Sequence, residues 1–424
     1  MSGMKVVTVH RGSRDGYQVA RGLEEAGLLE ALVTDLYWPA DRAWARGLER
    51  ITGRRANEAL RCRYADHVPS NSVVTCAGSG LSSLLLSKAR WLPFSWERKA
   101  VRWCDRSLGQ QAGRIATQRR AALLSYSYYG SSSFSHYHGD QPRILFQLHP
   151  HPVHVRKILR RERELHPECA SLEKEWELAL PQADFDQLAA EAAMADYWLV
   201  ASTFTKRTLV EAGIPARRIA IVPYGIDLKR FTPRSEHRDA SRPLRLLFVG
   251  TLSQRKGIKY LIEALESLPT GTAELTMCGR AVDDLELLRQ SKLPIRLHTS
   301  ISATGLLEAY RRADVFLFPS LAEGFAQVLL EAMASGLPVI STSPTAAPDL
   351  IRHGEEGFIL EPGSASELAM HIEKFLQDPN RIRSMGASAR RRAEYFTWER
   401  FRQGVAGFVE SVLSGSWDAH STKP

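Results

Sequence analysis

The run VFLFPSLAEGFAQVLLEAMASG, residues 315–336, joins a four-residue apolar stretch to an apolar helical stretch through a turn holding Gly324. A strand without a polar face must be covered on both sides, as in a parallel sheet flanked by helices. The same unit repeats on either side of it. Strand-like apolar runs stand at 244–249, 275–278, 338–341 and 358–360. Helix-period segments fill 257–268, 304–312 and 366–377, and 326–335 is the helix of the quoted run. Short buried strands alternating with helices predict a doubly wound α/β domain over about 243–395.

Upstream the alternation continues with longer interruptions. Residues 5–10 read as a first strand, 17–26 as the helix after it, 144–148 and 197–200 as inner strands, and 187–195 as a helix. A chain of 424 residues has room for two domains of the usual size. The predicted organisation is an N-terminal Rossmann-like domain over 1–226, a polar linker over 227–243, a C-terminal Rossmann-like domain over 244–395, and a last helix with a tail over 396–424. Two such sheets direct their carboxyl ends into a shared cleft, where ligands bind.

Hydrophobic residues are 44% and charged residues 24%, which excludes disordered, collagen-like and fibrous chains. Lys and Arg outnumber Asp and Glu by 56 to 47. Segments 42–63 and 88–120 together carry +12, leaving −3 for the rest. Trp44, Trp91, Trp96 and Trp103 lie in the same region. This local excess predicts an anionic partner. The candidates are a membrane surface, a polyanionic substrate and nucleic acid; no recognised nucleic-acid-binding module accompanies the charge, and of the three an anionic membrane surface, not nucleic acid, is the expected contact of 42–120. Cys62, Cys76, Cys104, Cys169 and Cys278 form no CxxC pair, as in a reduced cytoplasmic protein. Residues 1–10 run straight into a strand, which reads as no signal peptide. The uncharged stretch 68–87 holds nine apolar residues, too few for a membrane span. The expected location is the cytoplasm, peripheral on the inner face of the cell membrane.

The helix after Gly324 begins near Ala326, and its free N–H groups and positive dipole end form an anion site. Glu323 and Glu331 beside it would repel phosphate unless they bond hydroxyls. In VGTLSQRKG at 249–257, Lys256 opens a helix and can compensate phosphate charge, with Arg255 beside it. Gly12 and Gly16 in HRGSRDGY at 10–17 let the backbone approach a ligand. His149 and His151 stand just past a strand end. A zinc site built on that HxH pair lacks a third ligand at usual spacing, so no metal is expected.

Residues 319–336 resemble the E-x7-E motif of the retaining nucleotide-sugar glycosyltransferases of family 4, whose fold is GT-B. The resemblance implies that Glu323 contacts the donor sugar hydroxyls and Glu331 the ribose hydroxyls. The backbone at Gly324, Phe325, Ala326 and Gln327 would then meet the donor phosphate or sugar. Segment 249–257 is similar to the family's diphosphate site, which assigns Gly250, Arg255 and Lys256 to the donor; Thr251 stands where many members carry Arg. Segment 222–227 resembles the interdomain hinge, with Tyr224 in place of Asn. Ser202 matches a serine that begins a helix before that hinge. Segment 300–320 resembles the base-binding segment, with backbone groups near Ile301 holding the base, while Cys278-Gly279-Arg280 departs from the usual G-x-G. Residues 395–413 resemble a terminal helix that crosses back onto the first domain. His149, with His151 second, corresponds to a histidine near the reacting sugar.

The implied activity is metal-independent, cofactor-free retaining transfer of a hexosyl or related sugar. It runs from a nucleoside-diphosphate sugar bound by the C-terminal domain to a glycan or lipid-linked acceptor on the first domain, in cell-surface polysaccharide or glycolipid biosynthesis. A non-catalytic nucleotide-sugar- or glycan-binding protein and a GT-B nucleotide-sugar epimerase would share the donor site.

Overall fold

The computed structural model describes residues 3–40, 42, 43, 45, 47, 60, 61, 63–76, 94–234, 242–282, 288, 291 and 294–417. Cys62, Trp44, Trp91, the Trp96 side chain, part of the linker, residues 418–424 and much of the basic region lie outside them.

The first sheet contains β1 (Val6–Val9), β2 (Leu29–Thr34), β3 (Val73–Thr75), β4 (Ala122–Tyr126), β5 (Arg143–Gln147), β6 (Tyr197–Val200) and β7 (Ile219–Ile221). Its order is β3-β2-β1-β4-β5-β6-β7. The second contains β8 (Leu244–Val249), β9 (Ala273–Cys278), β10 (Ile295–His298), β11 (Val315–Phe318), β12 (Val339–Thr342) and β13 (Gly357–Leu360), ordered β10-β9-β8-β11-β12-β13. All of these pairings are parallel. The central strands β1, β4 and β11 are buried along their whole length, as strands covered by helices on both faces must be. Strand order reverses between β1 and β4 and again between β8 and β11, and crevices open at such switch points.

Each sheet has its own core. The last helix, Trp398–Leu413, gives Phe401, Val405, Phe408, Val409 and Val412 to the first core, not the second. It meets helix Gln18–Glu25 backbone to backbone: a Cβ on Gly22 would lie 2.9 Å from the Arg402 carbonyl oxygen. Arg402 donates to Glu25 at 2.7 Å and to Gln18 at 2.9 Å. Where the chain leaves and re-enters the first domain the two segments run side by side, with Ile226 N–H donating to Phe396 O at 2.9 Å.

Candidate active site

Gly257 sits at φ +72, and a Cβ there would lie 2.1 Å from the Pro319 carbonyl oxygen. Only glycine lets the loop after β8 lie against the end of β11, and this packing brings Lys256 to Glu323. Their side chains form an ion pair, and Ser320 Oγ donates to the same carboxylate at 3.3 Å. Burial, and Arg255 beside it, push the Lys256 ammonium down to about 7, against the opposing pull of Glu175 and Glu177. Arg255 is held by Glu175 and Glu177, each at 3.2 Å, two carboxylates from the N-terminal half. Each cation expected at the diphosphate is therefore neutralised by a carboxylate. Beyond Glu323 the chain turns through Ala326 at φ 66, a left-handed conformation rare outside glycine, and the helix starts at Gln327.

Across the cleft, His149 follows β5 and packs against Tyr128, their ring centroids 5.4 Å apart. Tyr128 follows β4 at φ 79. Glu191 fixes this conformation by accepting from the amides of Tyr128 at 2.8 Å and Ser131 at 3.1 Å, a carboxylate at the N-terminus of helix Gly130–Ser135. Burial, then the cations Arg255, Arg14 and Lys256, push His149 down to about 3, so its imidazole is neutral at pH 7. His151 does not share this position. Its amide donates to Thr208 Oγ1 at 2.9 Å and its Nε2 lies 3.2 Å from Ala189 O, inside the first domain.

Between the two walls is a cavity of about 870 Å³. Arg11, Arg14, Tyr128, His149, Glu175, Trp176 and Glu177 line it from one side, and Thr251, Ser253, Arg255, Lys256, Arg280 and Glu323 from the other. The domains touch beside it. Gly324 O accepts hydrogen bonds from Ser202 Oγ and Thr205 Oγ1, Gln254 N–H donates to Ser171 Oγ at 2.9 Å, and Tyr260 Oη donates to Glu162 at 3.0 Å.

Of the residues singled out in the sequence, His149, Arg255, Lys256 and Glu323 converge on this cavity, with Gly250 adjoining Thr251 of its wall. Thr251 and Arg280 stand in the same wall; the remaining candidates are not among its lining residues. Glu331 accepts from Tyr310 Oη at 2.8 Å, and burial raises its carboxyl. Ser202 is fully buried and caps its helix while holding Gly324. Gln327 Nε2 donates to Gly225 O at 2.6 Å. Phe325 is buried edge-on to Tyr224, and Ile301 packs on the second core. Gly12 and Gly16 do adopt positive φ, +69 and +62, but the Gly12 amide donates to Asp35 at 2.8 Å, and the wall is formed by Arg11 and Arg14 of the same loop. Sequence reasoning missed Arg11, Arg14, Tyr128, Glu175, Trp176 and Glu177. The two arginines stood in the quoted loop and could have been found; the other four carry no local signal. Among the described residues no group of three or more His, Cys, Asp or Glu could hold a metal ion.

Residues 230–392 match the family model described as "Glycosyl transferases group 1", a segment containing Arg255, Lys256, Glu323 and Glu331. Curated relatives include an amylovoran biosynthesis glycosyltransferase of Erwinia amylovora, 32% identical over 50% of this chain and 54% of the relative. A sulfoquinovosyl transferase of Arabidopsis thaliana is 29% identical over 48% and 42%. A putative colanic acid biosynthesis glycosyltransferase of Escherichia coli is 24% identical over 84% and 87%. The first two matches span about half the length of those relatives. A sucrose-phosphate synthase from Thermosynechococcus elongatus superposes with TM-score 0.67 at 19% identity, over 97% of this chain and 100% of that one. The Anabaena HepE protein, solved with UDP and glucose, gives 0.57 at 18% over 96% and 100%. The fold is thus GT-B: two Rossmann-like domains about a cleft.

Proposed function

We propose that the chain is a metal-independent retaining glycosyltransferase, moving a sugar from a nucleoside diphosphate to a glycan or lipid-linked acceptor in polysaccharide or glycolipid biosynthesis. The observation that carries this reading is Lys256 and Glu323 facing His149 across one cavity at the switch points of two sheets. The nucleoside diphosphate departs as negative charge builds on its phosphate, and a preorganised cation there is worth about 2.7–4 kcal/mol. When the donor binds, the Lys256–Glu323 pair opens: the ammonium turns to the phosphate and the carboxylate to the sugar hydroxyls. The neutral imidazole of His149 hydrogen-bonds the sugar or the acceptor and does not act as an acid. The acceptor hydroxyl attacks the face the leaving group departs from, and the leaving phosphate takes its proton. The contacts of Gly324 with Ser202 and Thr205 hold the domains together and exclude water.

Turnover of UDP-, GDP- and ADP-sugars, followed by proton NMR of the released sugar, tests this. Release from one donor class, with the anomeric configuration retained in the first-formed product, is expected, and Glu323→Gln should slow it at least tenfold. No release from any donor, or inversion, contradicts it.

The same reading puts the basic region 42–120 on an anionic membrane. Trp103, 60% exposed on helix Phe94–Gln118, supports this, and each nearby cation contributes about 1 kcal/mol. The protein should sediment with phosphatidylglycerol vesicles at low salt and be released at high salt; indifference to salt and lipid charge contradicts the docking. No helix among the described residues is long and apolar enough to cross a membrane.

A further inference from the structure

The charges lining the cavity are largely matched. Arg102 and Arg106 share Asp184 at 2.8 and 3.3 Å, Arg255 lies on Glu175 and Glu177, and Lys256 on Glu323. Arg14 is different. It is a partly buried guanidinium in the wall, hydrogen-bonded to the neutral hydroxyl of Tyr129, with Asp105 near enough to favour its charge but making no direct ion pair with it among the described residues. Arg11 beside it has its Nε 3.5 Å from Asp105 Oδ1, an oxygen that makes no hydrogen bond. Two guanidinium groups of one loop thus share the single carboxylate of Asp105, and the planar fork of donors on each suits an oxyanion.

The loop is built to hold these arginines. Asp15, Gly16 and Tyr17 all take left-handed φ of 47, 62 and 62. In Asp15 and Tyr17, which unlike glycine carry a Cβ, such strain persists only where the surroundings impose it. Tyr129, itself buried, clamps the loop by accepting from the Arg11 amide and the Arg14 guanidinium. Arg14 lines the same cavity as His149. It belongs to the first domain, opposite the donor cations Arg255 and Lys256.

We propose that Arg14, assisted by Arg11, binds an oxyanion carried by the acceptor, so that the substrate class is a phosphorylated or carboxylated glycan and not a neutral one. The proposal rests on the glycosyltransferase reading above. Tyr129 is its positioning residue.

The test measures binding of glucose 6-phosphate, glucuronate and glucose by calorimetry, with and without a saturating nucleoside diphosphate, to the full chain and to Arg14→Gln and Arg14→Lys. At least one charged sugar should bind ten times more tightly than glucose. Which one does so separates a phosphate from a carboxylate. Arg14→Gln should abolish that preference and Arg14→Lys restore part of it, while nucleoside diphosphate affinity stays within twofold. Equal binding of charged and neutral sugars, or a preference that survives in Arg14→Gln, overturns the proposal. So does a tenfold loss of nucleoside diphosphate affinity in Arg14→Gln, because Arg14 would then serve the donor. Should Arg14→Gln not fold, Arg14→Lys with Tyr129→Phe is decisive: unchanged preference in both overturns it. Failure of every nucleoside diphosphate to bind wild-type protein would instead strike at the glycosyltransferase reading, and the measurements without nucleotide still decide the anion site.

Discussion

Lys256→Ala lowers turnover of the nucleotide sugar by about 10²–10³-fold, the usual effect of deleting one preorganised charge contact at a leaving group. The loss should fall mainly on kcat, since the contact strengthens as charge develops on the departing phosphate. Stability should change little. The substitution removes a buried ammonium whose pKa burial has already driven down to about 7. It leaves Glu323 with Ser320 and with Arg255 at 4.0 Å. Steady-state kinetics with the preferred donor and a urea melt check both statements. Lys259→Ala serves as the control. Lys259 lies one helical step away and pairs with Glu168 and Glu263, each at 3.0 Å, outside the cavity, so its variant should keep wild-type kcat. Equal losses in the two variants would show that the effect is general to the helix and not to the phosphate contact.

Gly324→Ala is expected to impair the enzyme as severely by a different route. A Cβ at this position would lie 1.9 Å from the Leu148 carbonyl oxygen and 3.2 Å from His149 Cα. Both are backbone of the opposite domain, so no side chain can rotate away to make room. The loop must withdraw, and its carbonyl then loses Ser202 and Thr205. Overpacking of this kind typically costs about 1–3 kcal/mol. Separating His149 from Glu323 by an ångström would slow turnover by about a further hundredfold. Small-angle scattering should report a more open molecule, and kinetics a raised KM together with a lowered kcat. Ser202→Ala removes one hydrogen bond from the same contact without a clash and should show the same changes more weakly. Wild-type kinetics in Gly324→Ala would mean that this contact does not govern catalysis.

The two halves differ in how much of them the sequence discloses. In the second, β8, β11, β12 and β13 are short apolar runs separated by helices of ordinary length, and the alternation places them within a residue or two of the observed spans. β10 escapes because Ile295–His298 is half-exposed at a sheet edge. In the first half, β3 and β7 are three-residue edge strands. β2 carries Glu30, and β4 stands directly behind a run of arginines, so neither presents a clean apolar stretch. Helix Phe94–Gln118 is hidden because Gly109, Gln110, Gln111 and Gly113 interrupt its apolar period.

Within the site, Lys256 and Glu323 are legible because each sits at the junction of a strand and a helix, where local pattern and chemistry coincide. Glu331, eight residues on from Glu323, accepts from Tyr310 Oη, a partner 21 residues away in sequence that the local spacing does not disclose. Arg255 is the longer-range case. Its partners Glu175 and Glu177 are about 80 residues away in sequence, and only the approach of the two domains brings them together. Tyr128 and Trp176 enter the wall by the same long-range packing, which no local periodicity encodes.

Calorimetric titration of the wild-type chain with UDP, GDP and ADP probes the diphosphate grip most directly. Saturable one-to-one binding of at least one of them, weakened tenfold or more in Lys256→Ala, is the predicted result. Binding that is absent for all three, or unaffected by loss of Lys256, would contradict it.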